Sequence, residues 1–274
     1  MIQEFLIYLK DIRGYSSNTI RAYGKDLTSF VRWMKKHDAR ATWSTITRED
    51  IDAYSVYMTE SGMKPASSNR HLASISSLYG YFRRQGLPVD NPCRFASRRK
   101  IGANIPNTIP VDELQQAYAH AEGCSKIMLG LLATTGIRIS ELLSLEWSDI
   151  DFLNCSIRIH GKGMKQRIVP TTYEALRLLE EIKQHTHSDG RLFHIDQRHA
   201  RYMIWSALKP FSHAHQLSPH AIRHTMATNM ANHGTNVTTI AKVLGHSDIK
   251  TTQKYIDMTQ ADTRKAVLRY SIIN

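Results

Sequence analysis

The sequence predicts a mainly α-helical protein of two domains with one small β-hairpin, and three observations carry that prediction. Apolar residues recur at three- and four-residue steps through most of the chain. In one stretch, Ser156 to His160 alternates apolar and polar residues, and after a glycine-containing turn Gln166 to Pro170 returns. Between the helical regions, RFASRRKIGANIPNTIP, from Arg94 to Pro110, joins a basic cluster to two prolines without a helical period, as a linker does. The 274 residues divide on this reading into a first domain at 1–95, a linker at 96–109 and a second domain at 110–274, enough chain for two cores.

In the first domain the clearest helix is Asn18 to Met34. Ile20, Tyr23, Leu27, Phe30, Val31 and Met34 form one stripe, and Ser16, Ser17 and Asn18 offer its N-cap. A second runs from Ser67 to Arg84, with Leu72, Ile75, Tyr79 and Phe82 together. Its Ser68, Arg70, Ser74, Ser77 and Arg83 suit either phosphate contact or a solvated face. After Pro110, helices are expected at Val111–Glu122, Cys124–Thr134 and Ser140–Trp147. The hairpin Ser156–His160 with Gln166–Pro170 follows. Further helices are expected at Thr172–Lys183, His199–Leu208, His220–His233, Val237–Leu244 and Asp248–Met258, with another at Ala261–Tyr270.

The chain carries 36 Lys plus Arg against 24 Asp plus Glu, a net charge of +12, which attracts polyanions, nucleic acid first among them. A hydrophobic fraction of 42% and a charged fraction of 22% argue for a folded state over disorder. Glu4, Lys10, Asp11 and Arg13 interrupt the first residues, so no signal peptide is read. The longest apolar run, Ile127 to Ile137, is too short to span a bilayer. Cys93, Cys124 and Cys155 lack the spacing of a disulfide framework or a thiolate zinc site. A soluble cytoplasmic, nucleoid-associated protein is the expectation.

Four short motifs carry candidate chemistry. In Thr134–Glu141, TTGIRISE, glycine breaks one helix and Arg138 stands at the entrance of the next; a local ion pair with Glu141 is the plain alternative to a functional role. Gly161-Lys162-Gly163, followed by Lys165 and Arg167, is either an exposed basic turn or a lysine presented where backbone can approach a ligand. Ser218-Pro219-His220-Ala221-Ile222-Arg223-His224 opens a helix with three ionisable side chains. His220 and His224 have a zinc-compatible spacing, but Ala221 stands where a metalloprotease places its glutamate, and no acidic cluster has two-metal spacing, so no metal is expected. Last comes Leu244-Gly245-His246-Ser247-Asp248, with Tyr255 nine residues after His246; a tyrosine there is by itself an ordinary core aromatic.

Taken in order, Arg138, Lys162, His220, Arg223, His246 and Tyr255 resemble the signature of the tyrosine recombinases, the tyrosine-type site-specific integrases, and length places the chain with the compact Xer-type, transposon and integron members. The resemblance implies a helical SAM-like core-binding domain at 1–95 and a catalytic domain at 110–274. It implies a site-specific recombinase that cleaves and rejoins double-stranded DNA through a 3′-phosphotyrosine on Tyr255, as a homo- or hetero-tetramer on two sites, without a cofactor. Arg138 and Arg223 would hold the phosphate, Lys162 would be the general acid, His220 the base or orienter and His246 a further donor, with Glu141 and His224 in support. Arg70, Arg83, Arg98, Arg99, Lys100, Lys165 and Arg167 are the candidate DNA contacts. A tail after Tyr255 that docks into a neighbouring protomer is implied too, with packing on its own domain as the alternative. Competing readings are a type IB topoisomerase-like relaxing enzyme, a non-catalytic DNA-binding accessory protein, and a histidine-ligated metal hydrolase.

Overall fold

The structure, a computed structural model, describes residues 1–102, 106–161, 166–183, 190–246 and 251–253. It is mainly helical and divides into two compact units, Met1–Asn104 and Ile105–Asn274, each with its own apolar core.

The first unit is built from α1 (Ile2–Asp11), α2 (Ser17–His37), α3 (Arg48–Glu60) and α4 (Pro65–Arg84). Helix α2 starts where Ser16 accepts the Thr19 backbone N–H at 3.3 Å, and it buries Leu27, Phe30 and Met34 at the predicted steps. Pro65 opens α4, whose Leu72, Ile75, Leu78, Tyr79 and Phe82 are buried. Each such side chain removed from water contributes about 1.5–3 kcal/mol, which is why tertiary packing rather than propensity fixes these helices.

Two elements were not anticipated. Helix α1 buries only Phe5 and Leu9, so its periodic signal is short. Helix α3 starts at a reciprocal cap, in which Thr47 Oγ1 accepts the Asp50 N–H at 3.3 Å and Asp50 Oδ2 accepts the Thr47 N–H at 2.9 Å. The hydroxyl face read on α4 is also corrected in part: Ser68 and Ser74 are buried where the helix packs against its neighbours α1, α2 and α3, whereas Arg70 and Arg83 are exposed and Ser77 is half-buried.

Asp26 is a buried acid in this unit. Its carboxylate accepts Arg70 Nε at 2.8 Å and Nη2 at 2.9 Å and lies 3.1 Å from His71 Nε2, while His71 Nδ1 is 2.8 Å from the Tyr54 hydroxyl. Burial pushes the Asp26 carboxyl up, but the hydrogen bonds and charges of Arg70 and His71 outweigh it and hold the group below the usual carboxylate range.

The second unit contains α5 (Val111–His120), α6 (Gly123–Thr135), α7 (Ile139–Leu142), β1 (Ile150–Asp151), β2 (Ser156–His160), β3 (Gln166–Pro170), α8 (Tyr173–Lys183), α9 (Gln197–Leu208), α10 (Pro219–Asn232) and α11 (Val237–Leu244). Ile127, Met128, Leu129, Leu131 and Leu132 are all buried, so α6 is apolar around most of its circumference and forms the centre, against α5, α8, α9 and α10. The hairpin has the predicted limits, and β1 extends it to an antiparallel sheet of order β1-β2-β3 with Ile157 opposite Val169 and Ile159 opposite Arg167.

The helix expected at Ser140–Trp147 stops at Leu142. Its continuation is pulled away because Leu145 O accepts the Leu192 N–H at 3.0 Å and the Trp147 N–H donates to Gly190 O at 2.8 Å. Only a 3-10 turn, Trp147–Asp149, follows. No helix among the described residues is long and apolar enough to cross a membrane.

The stretch read as a linker is seated at both ends. Asn69 exchanges two hydrogen bonds with the Arg99 backbone, and Arg99 Nη1 donates to Met63 O at 2.7 Å. Ile109 is buried in the second core, and its N–H donates to Thr225 Oγ1 at 2.7 Å.

Candidate active site

Helix α6 ends because Gly136 adopts φ +60°, a left-handed conformation that costs other residues energy. A Cβ there would lie 2.6 Å from Met226 Sδ and 2.8 Å from Leu244 Cδ2. Gly136→Ala should therefore cost at least about 1–3 kcal/mol of stability, read as a lower urea midpoint at unchanged slope. This turn aims the next segment, so that Arg138 becomes the N-cap residue of the short helix α7.

Glu141, one turn along, is buried and ties Arg138 down twice. Its Oε2 accepts the Arg138 backbone N–H at 2.9 Å, and its Oε1 accepts Arg138 Nη1 at 2.9 Å. Burial pushes the Glu141 carboxyl up, yet the hydrogen bonds from Arg167 and the Arg138 backbone, with both guanidinium charges, hold it below the usual carboxylate range. It is therefore ionised at neutral pH. The ion pair that the sequence offered as a plain alternative does form, and it leaves the Arg138 side chain 44% exposed.

Helix α10 begins at Ser218, which accepts the Ala221 N–H at 3.2 Å, with Pro219 in the first turn. This start places His220 at the exposed entrance, whereas Arg223 and His224 face inward. The His220 and His224 rings meet edge to face with centroids 4.3 Å apart. Arg223 is 2% exposed, donating from Nη1 to Gly136 O at 2.6 Å and from Nη2 to Leu244 O at 2.7 Å.

Helix α11 ends at Gly245, with φ +65°, and the turn beyond it is where the separate parts meet. Three consecutive carbonyls at this helix end accept from three guanidinium groups. Val243 O takes Arg167 Nε at 3.1 Å, Leu244 O takes Arg223, and Gly245 O takes Arg138 Nη2 at 3.5 Å. Carbonyls at a helix C-terminus lack partners within the helix and carry the negative end of its dipole, so cations suit them. His246 follows directly, its Nδ1 2.7 Å from Thr252 Oγ1, a contact that fixes the rotation of the ring.

The site thus assembles residues 138, 141, 167, 223 and 246 from three elements and one turn around a single helix end. Residues 107–262 match the phage integrase family, and residues 2–86 match the phage integrase N-terminal SAM-like domain. The chain belongs to the phage integrase family of tyrosine recombinases. A tyrosine recombinase XerD of Oceanobacillus iheyensis is 32% identical over 279 residues, covering 95% of this chain and 94% of that protein. A tyrosine recombinase XerC of Herpetosiphon aurantiacus is 32% identical over 273 residues, covering 93% and 89%. Among solved structures, the XerH site-specific recombinase bound to palindromic difH substrate in a post-cleavage complex is similar with a TM-score of 0.78. Its identity is 18%, with 97% of this chain and 84% of that one covered. The XerA recombinase crystal structure is similar with a TM-score of 0.55 at 22% identity, covering 100% and 99%. At these identities the structural likeness shows the recombinase fold alone.

Of the recombinase signature, Arg138, His220, Arg223 and His246 are described, whereas Lys162 and Tyr255 lie outside the described residues, as do Lys165, most of the helix expected at Asp248–Met258, and the tail at Ala261–Tyr270. Among the candidate DNA contacts, Arg83, Arg98 and Lys100 are exposed, Arg70 is held by Asp26 with 47% of its side chain exposed, and Arg99 is engaged with Met63. Arg167 stands differently. Its side chain is 16% exposed, donating from Nη1 and Nη2 to Glu141 at 3.1 and 2.8 Å as well as to Val243.

The inward placement of Arg167 follows from strand phase, which the sequence leaves open because Ile168 and Val169 are both apolar. In β3 it alternates in phase with buried Val169, while Ile168 between them points out and is 71% exposed. Thr252, fully buried beside His246, was also passed over, because nothing in its local sequence distinguishes it from neighbouring Thr251.

Proposed function

We propose that this chain is a site-specific DNA recombinase that cuts and rejoins strands through a covalent 3′-phosphotyrosine on Tyr255, acting on nucleoid DNA in the cytoplasm. The observation that carries the proposal is the meeting of Arg138, Arg223 and His246 at the end of α11. Two permanently charged planar groups and an imidazole at one turn suit a phosphate whose nonbridging oxygens gain charge in the transition state.

In the cleavage step the Tyr255 oxygen attacks the scissile phosphorus. A bond from that oxygen to phosphorus forms, the bond to the 5′-oxygen breaks, and the strand is held as a phosphotyrosine with a free 5′-hydroxyl. Because one phosphate ester replaces another, the energy of the broken bond is kept and no ATP is required. A tyrosine with a pKa near ~10 is mostly neutral at pH 7, so His220, at the open start of α10, takes its proton or orients it. Lys162 gives a proton to the departing 5′-oxygen, and His246 donates to a nonbridging oxygen. Glu141 holds Arg138 in place. Attack by a 5′-hydroxyl from another strand reverses the chemistry and completes exchange, which calls for four protomers, alike or of two kinds, on two duplexes.

Lys162→Ala should slow cleavage of an ordinary strand by about 10²–10⁴-fold, the usual worth of a general acid. A substrate with sulfur in place of the bridging 5′-oxygen should restore the rate, since a thiolate leaves without protonation. An unrescued variant would show that Lys162 is not the proton donor. The recombinase reading itself is tested on a supercoiled plasmid carrying two sites. New joints between the sites are expected; relaxation alone would make the chain a type IB topoisomerase-like enzyme, and binding without cleavage an accessory protein.

A further inference from the structure

We propose that Arg167 is a positioning residue for strand cleavage, fixing Glu141, and through it Arg138, to the turn that carries His246. The inference rests on the recombinase reading and deepens it.

A charged side chain on the inward face of a strand has to find partners, and Arg167 uses three donors on two elements far away in sequence. Nη1 and Nη2 form a two-pronged contact with Glu141, and Nε reaches Val243 O at the end of α11. Only a planar fork spans both at once; an ammonium would satisfy one and leave the other. Glu141 accepts in turn from the backbone and the side chain of Arg138, so the position of β3 relative to α7 sets where Arg138 stands.

Contact with the turn is steric as well as polar. A Cβ on Gly245 would lie 2.7 Å from Arg167 Nη1, 2.8 Å from Cζ and 2.9 Å from Nε. The guanidinium therefore lies flat under the glycine that precedes His246, and displacing one displaces the other. A misplacement of about 1 Å at a reacting centre can cost about 100-fold in rate. Nη1, Nη2 and Nε of Arg167 are thus each committed to an acceptor within the protein.

The test uses the full-length chain on a nicked suicide duplex chosen from genomic fragments on which the wild-type protein becomes covalently attached. Failure of the wild type to attach to any fragment would overturn the recombinase reading and is seen before any variant is made. Arg167→Met keeps the aliphatic stem and Arg167→Lys keeps the charge. Both should bind the duplex within about 2-fold of wild type. At saturating protein, single-turnover attachment should fall about 100-fold for the first and about 10-fold for the second. A 5′-sulfur substrate should rescue neither, because the defect lies at the phosphate and not at the leaving group. Arg167→Met combined with Glu141→Gln should be no slower than the slower single variant, as for residues acting in one chain of contacts. Weakened binding at an unchanged saturated rate would make Arg167 a DNA contact instead. Wild-type rates in either variant, independent losses in the double variant, or loss of the folded circular dichroism signal in both variants would equally overturn the proposal, the last by making the residue a stability element.

Discussion

Tyr255→Phe is expected to bind its DNA site with wild-type affinity and to form no covalent complex at any time of incubation. The substitution removes one oxygen and keeps the ring, so groove contacts and phosphate charge pairing are untouched while the nucleophile is gone. Gel mobility shift reports binding, and a denaturing gel reports the adduct. Affinity of both forms should fall steeply and in parallel as salt rises, because a chain of net charge +12 that binds through phosphates releases counterions. An adduct on the Phe variant would move the nucleophile elsewhere.

Arg223→Ala should be nearly as damaging, for two separable reasons. Losing one preorganised donor to the developing charge costs about 10²–10³-fold in the chemical step. The truncation also leaves Gly136 O and Leu244 O without the guanidinium that bridges them across α6 and α11, at a cost of about 1–3 kcal/mol for each carbonyl left buried and unpaired. Single-turnover attachment and urea unfolding measured on the same preparation separate the two effects. Arg223→Lys should recover part of the stability and little of the rate, since one ammonium cannot replace a fork that spans two carbonyls. A fully active Arg223→Ala protein would remove this residue from the chemistry.

Much of the second unit was legible because its punctuation is local. Gly136 and Gly245 stop helices by taking positive φ, Ser218-Pro219 starts one, and the alternation of Ile157 and Ile159 before a glycine-containing turn marks the hairpin with its observed limits. Where local signals are short or ambiguous the reading failed. Helix α1 offers two buried residues, α3 hides its cap in an aspartate rather than a glutamate, and the segment after Leu142 is shaped by pairing with residues 190–192, almost fifty positions on.

The candidate site divides in the same way. Arg138, His220, Arg223 and His246 belong to short motifs and could be picked out individually. That Arg138, Arg167 and Arg223 share one helix end could not, because the bonds that join them span 107, 76 and 21 positions. The charge of Arg167 suggests a surface cation, and adjacent Ile168 and Val169 leave the phase of β3 open until the sheet is seen. Strand phase carries more weight than charge for such residues, since burial decides which partners a cation can reach.

The most direct measurement is to trap the wild-type protein on a nicked suicide duplex, digest the adduct and map the DNA-bearing peptide by mass spectrometry. Phosphotyrosine chemistry places a 3′-phosphate on the oxygen of Tyr255 and a free 5′-hydroxyl on the released strand. A linkage to any other side chain, or a cut strand with no protein attached, would contradict it.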